Sequence, residues 1–389
     1  MGKKAVADEQ EVLFVSNDLE EVMEHFKTEK ETDQWHEVYK KELEVIGVPN
    51  APILAGTYAE EYETDEEKVQ EAMEETGFAV KFPTRQGMRK KLLGATSYRA
   101  LFRRFGLECS AMLNVDDKPK FNALDTAKKA EIINGVAQNF TDKVLVLVRD
   151  GLCRYIGSES YAILPVVDLL TNLWEAIGEQ FPYAMFNVCR SGLEITECEF
   201  DLNDDDIEEK IHETVGEEGM KAMLKFVTSD VGLRAASLYP YLVDKDGRSF
   251  LIGKPLTVDH NVPKTVEMIK DEVCRVMTTF RDTSDKVEAL SHVLITNVKG
   301  CYLNIAKTVC SGSLLRKSTV MAIAEDIEAE LGTECTALDI WWKLQDTLLV
   351  EDATRDVPMK LNAHLMVQEA IARTLTYNYK EYDSAAVEW

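Results

Sequence analysis

Long apolar runs are missing from this 389-residue chain. None reaches 18 residues, so no membrane-spanning helix is expected. The opening residues, MGKKAVADEQEV, lack an apolar core, so no secretory leader is expected either. Gly2 stands where N-myristoylation would need it, but Val6 replaces the Ser or Thr of that signal. No CxxC pair occurs. The eight cysteines, Cys109, Cys153, Cys189, Cys198, Cys274, Cys301, Cys310 and Cys335, sit mostly in apolar runs. They read as reduced, largely buried thiols of a host-cell cytoplasmic protein rather than disulfides or zinc ligands. Positive charge is scarce. The chain has 44 Lys and Arg against 69 Asp and Glu, a net −25. That opposes general adhesion to nucleic acid or anionic membrane.

Catalytic signatures are also absent. The six histidines form no HExxH, and no GxSxG elbow exists. Gly253-Lys254 fails as a phosphate loop, because Arg248 replaces the first glycine and Pro255 the Ser or Thr. Asp201-Leu202-Asn203-Asp204-Asp205 fails as a calcium loop, with Asp206 at position 6 and His212 at position 12; a helix N-cap explains it better. His260 beside Asp259, at a strand-to-helix junction, reads as a structural pair, with a ligand or general base as the alternative. No enzyme, metal or cofactor is expected from these motifs.

What is present is uneven charge. Residues 1–80 hold 22 acidic and 7 basic groups, a net −15. They read as an acidic helical arm. Asn17 or Asp18 caps a helix through about Lys27, a second helix runs from Asp33 to Ile46, and Thr64-Asp65-Glu66-Glu67 is a capping box. Residues 81–107 then hold 8 basic groups and no acidic one. Within this island Arg85, Arg89, Lys90 and Lys91 precede a helix capped by Thr96 or Ser97. On that helix Tyr98, Leu101, Phe102 and Phe105 form an apolar stripe, with Arg99, Arg103 and Arg104 off it. Such cations neutralise phosphates, and an interleaved aromatic can stack on unpaired bases. The competing reading is that the aromatics are core and the cations pair with the acidic arm.

Further along, Asp150-Gly151 signals a hairpin between Val144–Val148 and Leu152–Ile156. Pro165 opens a helix ending at Gly178. A second hairpin turns at Ser191-Gly192, and Asn203 caps an acidic helix. The stretch from Phe226 to His260 reads as strand, turn, strand, hairpin loop and two short returning strands, after which Pro263 opens a long helix. The rest is helical, ending in a frayed tail from Asn378 to Trp389. The fold class is therefore α+β, antiparallel hairpins packed with helices and followed by a helical C-terminal subdomain. Its divisions are 1–80, 81–262 and 263–389.

Separated segments carry a resemblance. They are Ser160-Tyr161-Ala162-Ile163-Leu164-Pro165, Thr228-Ser229-Asp230, Leu256-Thr257-Val258-Asp259-His260, Phe280-Arg281-Asp282-Thr283-Ser284-Asp285-Lys286 and Ala337-Leu338-Asp339-Ile340-Trp341-Trp342-Lys343-Leu344. In that order, over about residues 90–350, the chain resembles the phage/plasmid-like protein family of unknown function, found in phages, plasmids and prophages. The resemblance implies a mobile-element setting among replication and recombination functions, and no catalytic residues. The expected function is a non-enzymatic nucleic-acid transaction protein for single-strand binding or annealing. It would use Arg85, Arg89, Lys90, Lys91, Tyr98, Arg99, Arg103 and Arg104, with Arg149 and Arg154 as weaker contributors. The alternative is an acidic interaction or assembly factor, such as a host-defence antagonist or DNA mimic, that engages a basic protein partner.

Overall fold

The computed structural model describes residues 12–107, 124–215, 220–245, 249–258, 265–312, 315–356, 359 and 361–387. The chain is α+β, with antiparallel sheets, packed helices and a helical C-terminal region. It begins with β1 (Val12–Ser16) and α1 (Leu19–Thr32). Asp18 starts α1 as its type predicts, its carboxylate accepting from the amides of Glu20 and Glu21.

Residues 34–107 and 124–158 form a barrel. β2 (Gln34–Tyr39) and β3 (Glu44–Gly47) are separated by one 3-10 turn, Lys40–Glu42, and act as one bent strand. After α2 (Ala55–Tyr62) and α3 (Glu66–Glu75) come β4 (Phe78–Thr84) and β5 (Gly87–Leu92). Then follow α4 (Ala95–Arg104), α5 (Thr126–Ala137), β6 (Lys143–Arg149) and β7 (Leu152–Ser158). β3 pairs β4, β4 pairs β5, β2 pairs β6 and β6 pairs β7, all antiparallel. A parallel bridge from Leu93 to Cys153 joins the end of β5 to β7. The ring thus runs bent strand, β4, β5, β7, β6 and back to the bent strand. Val38, Val45, Phe82, Leu101, Val146 and Ile156 belong to the core it encloses. The α2–α3 insert packs outside, Tyr62, Val69 and Met73 sharing a smaller core with Ala79 and Leu92. Asp150 and Gly151 turn β6 into β7 at φ 53° and 78°, the left-handed pair that their residue types predict.

The helix expected from Asp33 to Ile46 does not form; β2 and β3 lie there. Trp35, Val38 and Val45 are strand formers, and Trp35 pairs Leu147 while Val38 pairs Val144. Those distant pairings outweigh the local pattern. Residues 12–80 are accordingly not a helical arm. They supply strands to the barrel and to the sheet described next. Two caps also move by one residue. Asp65 caps α3, and Asp204 accepts from the Ile207 amide at 3.0 Å, while Asn203 sits at φ 46°.

The second body is a seven-stranded antiparallel sheet. Its order is β1, β8 (Met185–Gly192), β9 (Thr196–Asp201), β10 (Lys221–Thr228), β11 (Ala236–Val243) and β12 (Ser249–Leu251); β13 (Leu256–Val258) also pairs β11. The turn between β8 and β9 falls just beyond Ser191-Gly192, closed by the Gly192 amide on the Ile195 carbonyl. One face is apolar and meets α6 (Val166–Gln180) and α8 (Thr265–Ser291), with α7 (Asp205–Val215) beside them. Gly178 lies within α6 instead of ending it. The other face buries an ion lattice: Lys225 pairs Glu197 at 2.9 Å, and Arg190 pairs Glu199 at 3.1 Å.

Helices α9 (Val298–Gly312), α10 (Lys317–Leu331), α11 (Ala337–Ala353) and α12 (Leu361–Arg373) complete the body. Two-residue strands β14 (Leu294–Ile295) and β15 (Cys335–Thr336) pair among them, and Thr336 and Asp339 cap α11 reciprocally. The tail expected to fray holds α13 (Tyr379–Ser384), anchored by buried Tyr379. Among the described residues no helix is long and apolar enough to cross a membrane. Cys153, Cys189, Cys198, Cys301 and Cys335 are free and buried, Cys310 is half-buried and Cys274 exposed. Cys109, Asp259, His260 and Pro263 lie outside the described residues.

Candidate nucleic-acid interface

The basic island divides along the barrel. Its first half is the β4–β5 hairpin, with Arg85 in the turn and Arg89, Lys90 and Lys91 on β5. Its second half is α4, which starts beyond the far end of β5. Six residues of strand, about 20 Å, separate Arg85 from that helix.

At the hairpin tip a cleft of about 680 Å³ opens between β2 and the hairpin. Gln34, Trp35, His36 and Glu37 line one side, and Pro83, Thr84, Arg85, Gln86 and Arg89 the other. Arg89 donates to the side-chain carbonyls of Gln34 and, at 3.1 Å, Gln86, so its guanidinium is held across the cleft without a carboxylate. His36 packs against Phe82, ring centroids 5.4 Å apart. Burial first, then the charge of Arg89, holds its imidazole below the ordinary range, so it is neutral at physiological pH. Its Nε2 is buried without a hydrogen-bond partner. Arg85 is exposed.

The other island residues are more committed. Lys81 and Lys90 face each other across β4 and β5; Lys81 pairs Glu44 at 2.8 Å and Lys90 pairs Glu61 at 2.6 Å. Lys91 is buried and donates to Glu63 at 2.9 Å and to the Tyr62 carbonyl. Acidic residues from the first 80 thus do neutralise part of the island, Glu44 from β3 and Glu61 and Glu63 from the insert packed on the barrel. Tyr98 stacks on Phe78, centroids 5.2 Å apart, and burial pushes its phenol up to about 12, so it is a packing residue. Arg104 lies against Tyr155 and the Ile156 carbonyl. Arg99 and Arg103 are exposed on α4. Arg154 is buried and pairs Glu71 at 2.8 Å.

Trp35 also lines a second cavity, of about 150 Å³, at the joint between barrel and sheet. There the buried Arg149 donates to Asp33 at 2.7 and 2.6 Å and to Asp230, with Glu29 3.6 Å away. Burial alone would lower the guanidinium pKa, but Asp230, Asp33 and Glu29 outweigh it and raise it. Burial pushes the Glu29 carboxyl up to about 7, against the pull of Arg149. Arg149 is thus a structural ion rather than an accessible phosphate ligand. Among the described residues no group of three or more His, Cys, Asp or Glu is placed to hold a metal ion.

Gln34, Trp35 and His36 were not singled out by sequence, because their segment reads locally as helix. Trp, Val and Tyr within six residues were the strand signal available. A scan against protein-family models and searches of curated proteins and of solved structures found no match to this chain.

Proposed function

We propose that this protein is a non-enzymatic single-stranded nucleic-acid binding protein that uses the cleft between β2 and the β4–β5 hairpin, in the phage or plasmid setting its sequence resemblance implies. The observation that carries this reading is the ring order bent strand, β4, β5, β7, β6, with a helix before the last two strands. That is the connectivity of the OB fold, a Greek-key barrel whose second and third strands bind oligonucleotides or oligosaccharides in many proteins built on it. Here those strands are β4 and β5, with Arg85 in the turn between them and Arg89 on β5. The likeness is one of fold and supplies a location, not a ligand. Chemistry supports the nucleic-acid choice: Arg85 and Arg89, neither paired with a carboxylate among the described residues, meet phosphate needs, and the half-buried rings of Trp35 and His36 line the same cleft.

The test is fluorescence anisotropy of a 20-mer oligothymidine against the full chain at 25 and 200 mM salt. Wild type is expected to bind at low salt and weaken as salt rises. The variant R85E/R89E should bind at least tenfold more weakly, with a log–log salt slope smaller by about 1.4, since each single-strand phosphate contact contributes about 0.7. R99E/R103E on α4 should change affinity less. Absence of binding by wild type at 25 mM salt would remove this reading and leave the acidic partner-binding alternative, which the net charge favours.

A further inference from the structure

The seven-stranded sheet ends on β1, and among the described residues no strand pairs with its outer side. The strand reads VLFVS, with no charge and no proline, and its one irregularity is a shift in its register on β8 between Val12 and Phe14. Several other strand edges among the described residues are guarded. On β3 the Asn134 side chain bonds both the amide and the carbonyl of Val45, at 2.7 and 2.8 Å. β12 and β13 have only three residues each. From Phe14 to Ser16 the edge is regular and carries no such guard, and it offers its backbone donors and acceptors to an extended chain.

The two sides of β1 differ. Leu13 and Val15 are 61% and 59% exposed. Phe14, on the opposite side, stacks on His25 of α1, ring centroids 3.9 Å apart. Beside Phe14 lies a cleft of about 670 Å³ lined by Glu21, Glu24, Glu29 and Asp150. Arg149 reaches this cleft too, but its guanidinium is engaged by Asp33 and Asp230. A strand laid along β1 turns alternate side chains to these two sides. One set covers Leu13 and Val15, and the other meets carboxylates.

We propose that β1 is a strand-addition site for an extended segment of a partner protein in which apolar and basic side chains alternate. Backbone hydrogen bonds supply the affinity of such docking, and the side-chain pattern supplies specificity. Register is set by the same alternation, because a one-residue slip places the basic groups on Leu13 and Val15. The net charge of −25 favours encounter with a basic segment. It disfavours a second copy of this chain, whose own β1 would bring an equally acidic surface.

The experiment uses the full chain and a labelled ten-residue peptide alternating valine and lysine, at 50 mM salt, read by anisotropy. Two further probes are the peptide with glutamate for lysine and the lysine peptide N-methylated at every second amide. Wild type should bind the lysine peptide only. L13K/V15K, at exposed positions and checked for unchanged circular dichroism, should lose at least tenfold in affinity. E21Q/E24Q should lose about three- to tenfold, as two partly exposed ion pairs would. R85E/R89E should leave peptide affinity unchanged, which separates this site from the barrel cleft. Binding that survives N-methylation or L13K/V15K would mean diffuse charge attraction and overturn the proposal. So would no binding by wild type. Self-association of wild type that L13K/V15K abolishes, without peptide binding, would assign the edge to a second copy and overturn it as well.

Discussion

Cations serve two different ends in this molecule. On the β4–β5 hairpin, Lys81 and Lys90 each meet one carboxylate in contacts about a third exposed on the lysine side. At the joint between barrel and sheet, Arg149 is buried and shared by Asp33, Asp230 and Glu29. Exposed pairs are worth about 0–1 kcal/mol, whereas removing one partner of a buried cluster strands the others without water. Charge at the hairpin is therefore available for exchange with a ligand. Charge at the joint fixes how α1, β6 and the loop after β10 meet. Position, rather than residue type, separates the two roles, and counting Arg and Lys along the sequence cannot.

The strongest way to break this contrast is to remove one cation from each place. Arg149→Leu should cost about 3–5 kcal/mol in urea unfolding, because two or three buried carboxylates lose their counter-ion. Lys90→Met should cost less than about 0.5 kcal/mol. Equal costs would show that the joint is not held by its ions. Next in size is Gly232→Ala. Gly232 follows Asp230 in the same loop at φ 70°, and a Cβ there would collide with the Tyr155 hydroxyl on β7. Left-handed strain and overpacking together should cost about 2–4 kcal/mol. An unchanged thermal midpoint would mean that the joint yields.

The smallest effect sharpens the comparison through pH. The Glu29 carboxyl titrates at about 7 in the fold, against an ordinary 4.5. Between those values the folded chain holds a proton that the unfolded chain has released. This contribution to stability is complete below about pH 4.5 and is lost as pH rises through 7. Glu29→Gln should therefore match wild type near pH 5 and exceed it by about 2 kcal/mol at pH 8. The reading is the difference in urea midpoints at the two pH values. A variant less stable than wild type at pH 8 would show that the charged form of Glu29 supports the cluster.

Local signals in the sequence carried far. Asp150-Gly151, Asp18 before α1 and Gly332 after α10 each specify a turn or an end by side-chain or backbone chemistry within a few residues, and each lies where that chemistry puts it. The Tyr98, Leu101, Phe102 and Phe105 stripe likewise packs inward. What stayed illegible is long-range. Residues 34–47 form one bent strand only because β4 and β6 are there to pair with its two halves. The Arg149 cluster joins residues 29, 33, 149 and 230, and in so acidic a chain nothing marks those carboxylates off from the rest. Of the eight island residues, sequence placed all on one basic segment. The fold sends Tyr98, Lys91 and Arg104 into packing and leaves Arg85 and Arg89 at the cleft with Gln34, Trp35 and His36, which only tertiary pairing brings there.

The chain enters the large sheet at β1, leaves to complete the barrel, and returns at β8, where Val12 meets Gly192. During synthesis β1 and α1 emerge before the barrel, but their sheet partners follow only after the whole barrel has been made. The barrel closes over shorter sequence distances and needs nothing from residues after 158 to complete its ring, so it is the unit able to fold while the ribosome is still producing the sheet. Until then the uncharged VLFVS segment lacks β8, its strand partner among the described residues. A nascent chain whose emerged part ends between residues 158 and 185 should therefore carry a folded barrel together with a sticky, unpaired β1, and this interval is where a holdase chaperone would find the most to bind.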